Sequence, residues 1–196
     1  MAISAADVGK LRQMTGVGMM EAKNALEESG GDFDKAIDGL RKRGAAKAAK
    51  KADRETSEGR VHCYMHTTGK IGVMVKVLCE TDFVARNTEF IDFCNDVAMH
   101  ATAMAPQYLN RAEVPAELVA KEREIIAAQL TAEGKPAEMI EKITAGKLDR
   151  FYSEICLLEQ AFIKDESKTI SGLVEEKVLS LGENIQIAEF KRIQIG

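Results

Sequence analysis

Few side chains in this chain fall at spacings that could support chemistry. His62, Cys63 and His66 lie close together and carry imidazole and thiol groups, the usual donors to a transition metal. Successive residues of a strand point to opposite faces, so Cys63 faces away from both histidines there. Without a bulge the three do not converge, and zinc needs about four convergent ligands. Cys79 and Cys94 fall on apolar faces, where cysteine behaves as a small hydrophobe. Carboxylates are plentiful, but no pair of them sits in an apolar stretch that would raise a pKa. The chain has no Gly-x-x-x-x-Gly-Lys-Ser/Thr run, no Gly-x-Ser-x-Gly elbow and no Gly-x-Gly-x-x-Gly turn. Neither catalytic residues nor a metal or cofactor are expected, and the enzyme reading is poor.

Two features remain. The tract from Arg41 to Arg54 holds seven basic residues and one acid, with no aromatic residue on which a base could stack. Its alanines favour helix, and the simplest reading is a solvated linker helix. The same charges could instead engage a phosphate backbone or steer an acidic protein partner. The second feature is Thr81-Asp82-Phe83-Val84, which places a phenylalanine in a short connection between a strand and a helix. Loops run over surfaces, so Phe83 is either tucked under or presented to a partner. Residue chemistry alone favours tucked under, because aromatic residues mostly reach the core.

The chain has 196 residues, with 27 Lys and Arg against 31 Asp and Glu, for a formal net charge of −4. Hydrophobic residues make up 45%, which excludes a disordered chain, and 3 prolines exclude a collagen-like one. No apolar run nears the ~18 residues of a membrane span, and the start lacks the basic flank and apolar stretch of a signal peptide. Cysteines 63, 79, 94 and 156 do not fall into disulfide or zinc spacings, so a reducing cytoplasm is expected. Slight acidity argues against a direct, whole-surface grip on nucleic acid.

The elements that position these residues follow from periodicity. Residues 1–44 read as a three-helix module. Ser4 and Asp7 cap the first helix, which stops at Thr15-Gly16-Val17-Gly18; a second breaks at Ser29-Gly30-Gly31; and Asp32 caps a third that ends at Gly44. Residues 45–57 form the basic linker helix, and 58–196 an α+β core that also serves dimerisation. There, strand-like Arg60 to His66 and an alternating strand from Ile71 to Cys79 flank the turn Thr67-Thr68-Gly69-Lys70. Asn87 caps a long helix with Phe90, Phe93, Cys94, Val97, Ala98 and Ala101 on one face, ended by Pro106. Residues 116–145 read as an antiparallel helical hairpin turning at Gly134-Lys135-Pro136. A separate helical stretch follows through Leu148, Phe151, Tyr152 and Ile155. Then come strand-like Cys156 to Ile163, a helix over Ile170 to Leu181 ended by Gly182, and a last strand holding Ile185, Ile187, Phe190, Ile193 and Ile195. An antiparallel sheet with helices on one side is the expected core.

Two segments bring a family into view. Leu11-Arg12-Gln13-Met14-Thr15-Gly16-Val17-Gly18-Met19-Met20-Glu21-Ala22-Lys23-Asn24-Ala25-Leu26 and Cys79-Glu80-Thr81-Asp82-Phe83-Val84-Ala85-Arg86-Asn87 closely resemble the two signature stretches of the bacterial elongation factor Ts family, in its order and separation. Gly44-Ala45-Ala46-Lys47-Ala48-Ala49-Lys50-Lys51 and Leu181-Gly182-Glu183-Asn184-Ile185 also resemble family sequence. One departure is Ala161, where the family usually has proline, and it bears on local strand geometry. Another is a length that allows only one core module, where longer members have two.

The resemblance implies guanine nucleotide exchange on the GTPase elongation factor Tu during translation elongation, without covalent chemistry. It assigns Asp82 and Phe83, with Thr81 and Val84, to exchange: Phe83 would enter between helices of the GTPase domain and disturb its magnesium and phosphate site. Arg12, Met19 and Met20 match the docking surface of the N-terminal module, and Leu181 and Gly182 a secondary contact. The module itself is similar to ubiquitin-associated domains, with Gly31-Asp32-Phe33-Asp34 opening its last helix. In short members a homodimer would supply the missing half. A ubiquitin-associated-like adaptor or an RNA-binding adaptor is the alternative, and neither accounts for the Phe83 turn.

Overall fold

A computed structural model describes residues 3–195; residues 1, 2 and 196, which the sequence reading includes in the terminal units, lie outside the described residues. Helix α1 (Ala5–Thr15) opens on a capping box in which the Asp7 N–H donates to Ser4 Oγ at 3.1 Å and the Ser4 N–H to the Asp7 carboxylate at 3.4 Å. It ends where Gly16 takes φ 72°, a left-handed cap open to glycine. Helix α2 (Met19–Glu28) and helix α3 (Phe33–Lys51, capped by Asp32) complete the module. Leu11, Val17, Ala22, Leu26, Ala36 and Leu40 pack together at its centre, joined by Leu179 from a helix far along the chain.

The third helix does not stop at Gly44. It runs through to Lys51, and one side of its basic half packs against the rest of the chain while Arg41, Lys42, Lys47 and Lys50 stay exposed. Lys47 pairs with Glu21 at 2.8 Å, Lys51 donates to the Gly182 carbonyl, and Ala48 packs against the main core. Gly44 is needed for approach, not termination: a Cβ there would lie 3.2 Å from the Glu175 carbonyl oxygen, so glycine lets α3 close against helix α8 (Ile170–Leu181). The tract predicted as a linker is a spine shared by both ends of the molecule.

The period-2 stretch forms as expected. Strands β1 (Glu58–Met65), β2 (Ile71–Cys79) and β5 (Gln186–Gln194) make an antiparallel sheet in the order β1-β2-β5. Val73, Val75, Val77 and Cys79 are buried beneath helix α5 (Thr88–Met104), whose Phe90, Phe93, Cys94, Val97, Ala98 and Ala101 face them. The sequence of β5 looks out of phase, with Ile187 odd-numbered and Phe190 even. A bulge explains it: Val77 pairs with Ile187 while Lys76 pairs with Glu189, so Ala188 is the extra residue and both apolar side chains reach the core side. Beyond the bulge the odd residues face outward, leaving Ile193 69% and Ile195 71% exposed.

Helices α6 (Ala116–Ala132) and α7 (Ala137–Ile155) form the hairpin around Ile126, Leu130 and Leu148. It is longer than predicted, because α7 absorbs the stretch from Leu148 to Ile155. Gly146 within it weakens a helix by about 1 kcal/mol without breaking it. Cys156 to Ile163 is mostly not strand. Cys156 makes one bridge to Tyr108, Leu157–Glu159 is a 3-10 turn, and only β3 (Ala161–Phe162) is extended, pairing with a strand the periodicity missed, β4 (Asp165–Thr169). Such short apolar runs do not distinguish helix from strand. Buried His100 ties these parts together, its Nε2 3.0 Å from Gln160 Oε1 and its Nδ1 accepting the Ile163 N–H at 3.3 Å.

Candidate functional site

Between β2 and α5 the chain makes a single helical turn, α4 (Asp82–Ala85). Thr81 starts it: its carbonyl accepts the Ala85 N–H at 3.2 Å and its hydroxyl the Val84 N–H at 3.4 Å. Asn87 ends it and caps α5, its side chain accepting the Glu89 N–H at 2.8 Å. The two anchors, Thr81 and Asn87, thus leave five residues between them, Asp82 to Arg86. Ala85 is buried and Val84 packs on the main core, which turns Asp82 and Phe83 outward. Phe83 is 82% exposed, the most exposed large hydrophobic side chain among the described residues. Its exposure forgoes ~1.5–3 kcal/mol of burial. Of the two readings open to the sequence, tucked under is the wrong one. Asp82 forms an ion pair with Arg86 at 3.1 Å, one helical turn on.

Thr81 and Val84 therefore shape the turn rather than present it. Leu181 and Gly182 likewise have inward duties: Leu181 packs on the core, while Gly182, at φ 78°, caps α8 and its carbonyl accepts from Lys51. The residue that follows matters more. Glu183 accepts the Glu80 and Thr81 N–H groups at 3.0 Å each and the Thr81 hydroxyl at 2.6 Å. Burial, and secondarily the Glu183 carboxylate, pushes the Cys79 thiol up to about 11, so it stays protonated at the base of the turn.

On the N-terminal module Arg12 is exposed, and Met20, 67% exposed, stands beside exposed Met19 at the start of α2. Met14 is exposed as well, beside a cleft it lines with Ile37, Arg41 and Lys168, and one methionine on a short helix is no sequence signal. The module comes close to the start of α5 at Glu89, just after the turn. Gly16 lies close to Glu89, where a Cβ would come 3.5 Å from Oε1, and that oxygen accepts hydrogen bonds from Lys177 Nζ at 2.9 Å and Ser180 Oγ at 2.7 Å. The loop before Met19, the helix after Phe83 and the end of α8 thus converge at one carboxylate. Glu89 carried no sequence signal either, because its partners lie about 90 residues away.

His62 and Cys63 part as the alternation requires: His62 faces α5, 3.3 Å from Asn95 Oδ1, and Cys63 is exposed on the other face. Among the described residues no group of three or more His, Cys, Asp or Glu could hold a metal ion, and no helix is long and apolar enough to cross a membrane.

The profile of the family described as Elongation factor TS matches residues 45–196. Curated relatives match over far more than that. An elongation factor Ts of Fervidobacterium nodosum is 54% identical over 196 residues, all of both chains. One from Geobacter metallireducens is 53% identical over the whole of this chain and 91% of its own, and one from Thermosipho melanesiensis 52% identical over 99% of each. Likeness of that extent leaves no segment of the fold unaccounted for, and the chain belongs to the elongation factor Ts family of translation elongation factors.

Proposed function

We propose that this chain is a guanine nucleotide exchange factor for the GTPase elongation factor Tu, promoting GDP release in the cytoplasm by inserting Phe83 near the magnesium and phosphate site. The observation that carries the reading is Phe83 itself, an aromatic ring held out in water by a turn capped at both ends. Asp82 and Phe83 are the contacting residues, and Thr81 and Val84 set their direction. Arg12, Met19 and Met20 dock the N-terminal module on the GTPase, and Leu181 and Gly182 make a secondary contact.

The physics is linkage. An exchange factor forms no covalent bond; it binds the empty GTPase more tightly than the loaded one, and by reciprocity loosens the nucleotide by the same factor. Weakening the nucleotide ~10⁴-fold needs about 5.5 kcal/mol of differential affinity. Burying one phenylalanine supplies only about 1.5–3 kcal/mol. Phe83 does not suffice alone, so the docking surface must supply the remainder, and the closeness of Gly16 to Glu89 at the start of α5 suits that division of labour.

The active form is a homodimer. The outer face of the sheet is apolar along Val61, Met65, Met74, Ile193 and Ile195, around a shallow cleft of about 420 Å³. A bare sheet face of this kind suits a second sheet packed on it at ~10 Å.

Reciprocity provides the test. Affinity for purified elongation factor Tu, measured by calorimetry with and without excess GDP, should fall on GDP addition by the same factor by which the chain weakens GDP. Equal affinities in the two conditions would refute exchange.

A further inference from the structure

A helix of four residues is not stable by itself, and α4 directs only Val84 and Ala85 inward. The entry to the turn is fixed from elsewhere, by Glu183. One of its carboxylate oxygens accepts both the Glu80 and Thr81 N–H groups at 3.0 Å, and the other accepts the Thr81 hydroxyl at 2.6 Å. That hydroxyl in turn accepts the Val84 N–H, so the grip passes into the turn. Asn184 makes a second loop. Its N–H donates to the Glu80 carboxylate at 2.6 Å, and its side-chain amide donates to the Ala52 and Arg54 carbonyls at 3.3 and 2.9 Å. Glu80 and Thr81, Glu183 and Asn184, and the end of α3 thereby form one hydrogen-bonded knot. Charge-assisted bonds to a carboxylate are stronger than neutral ones, and here one carboxylate holds three donors.

We propose that Glu183, supported by Asn184, is a positioning residue for exchange: it locks the backbone at Glu80 and Thr81 so that Phe83 meets the GTPase in one orientation. This rests on the exchange reading of Phe83. A wedge deforms its target only if its own mounting yields less than the site it enters, and preorganisation of the mounting removes the ordering cost from the encounter. The tie from Asn184 to α3 carries the load to the helix that also builds the docking module.

Glu183→Gln keeps the shape and removes the charge. In the free chain, amide hydrogen exchange at Glu80 and Thr81 should quicken roughly tenfold, as a charge-assisted bond becomes neutral. In GDP release from elongation factor Tu, the saturating rate should fall about tenfold while the half-saturating concentration stays within about twofold. A simple loss of folded protein does the reverse, leaving the saturating rate and raising the apparent half-saturation; that pattern, or unchanged amide exchange, overturns the proposal. Should Glu183→Gln not fold, Thr81→Val removes only the hydroxyl and should lower the saturating rate likewise; a wild-type rate there also overturns it. Phe83→Ala run alongside separates the two ideas. A wild-type rate in Phe83→Ala refutes the exchange reading and the positioning role with it. A lost rate there, beside an undiminished one in Glu183→Gln, refutes the positioning role only.

Discussion

At the scale of single residues, Phe83 and His100 show opposite uses of a ring. Phe83 is left in water by its own fold, whereas His100 is fully buried with both nitrogens engaged. Because Nδ1 accepts an N–H, the folded ring is neutral with its proton on Nε2, and burial holds its pKa below the ordinary 6.5, against the hydrogen bond to Gln160. The folded state therefore disfavours the imidazolium. Above pH ~6.5 both states are neutral and the contribution is whole; as pH falls through that value the unfolded chain takes up the proton first and stability drops. Urea titrations from pH 7.5 to 5 should show this loss, and His100→Gln should flatten it; identical slopes in the two proteins would contradict the assignment. On the docking surface, Arg12→Ala should weaken binding to elongation factor Tu by about three- to tenfold, the order expected for one exposed cation. An unaltered affinity in a titration would count against that contact.

Among the elements, those with strong local punctuation were legible. The capping box at Ser4, the strand Ile71–Cys79, the cap at Asn87 and the helix Ile170–Leu181 all lie where caps and periodicity put them. Elements decided by distant partners were not. Gly44 looked like a stop because nothing local reveals the Glu175 carbonyl beside it, and the β5 bulge is defined only by its pairing with β2. The site divides the same way. The Thr81–Val84 connection was visible as an anomaly, but its exposure depends on Val84 and Ala85 claiming the inward side, and its anchor at Glu183 lies about 100 residues on. The close approach at Gly44 yields a prediction of its own. Gly44→Leu should force α3 from α8 and destabilise the chain by roughly 1–3 kcal/mol in denaturant unfolding, the usual cost of overpacking. A change near zero would mean the two helices are free to part.

Across the whole molecule, one sheet face is covered by helix, the other carries exposed Val61, Met65, Met74 and Ile193 among the described residues, and Glu89 at the start of α5 is bound by α8. Sedimentation should give twice the chain mass, and Ile193→Lys, which sets a charge on the bare face, should shift it toward the single mass; a wild-type monomer at micromolar concentration would refute the dimer. The proposed grip and the proposed wedge lie on different elements, so mutation should separate them. The most direct measurement is stopped-flow release of labelled GDP from elongation factor Tu, titrated with wild-type chain and with Phe83→Ala. The alanine variant should still form a saturable complex but lose most of the rate stimulation, at least about tenfold, as removal of one buried aromatic contact implies. Release at the wild-type rate would show that the ring is not the lever.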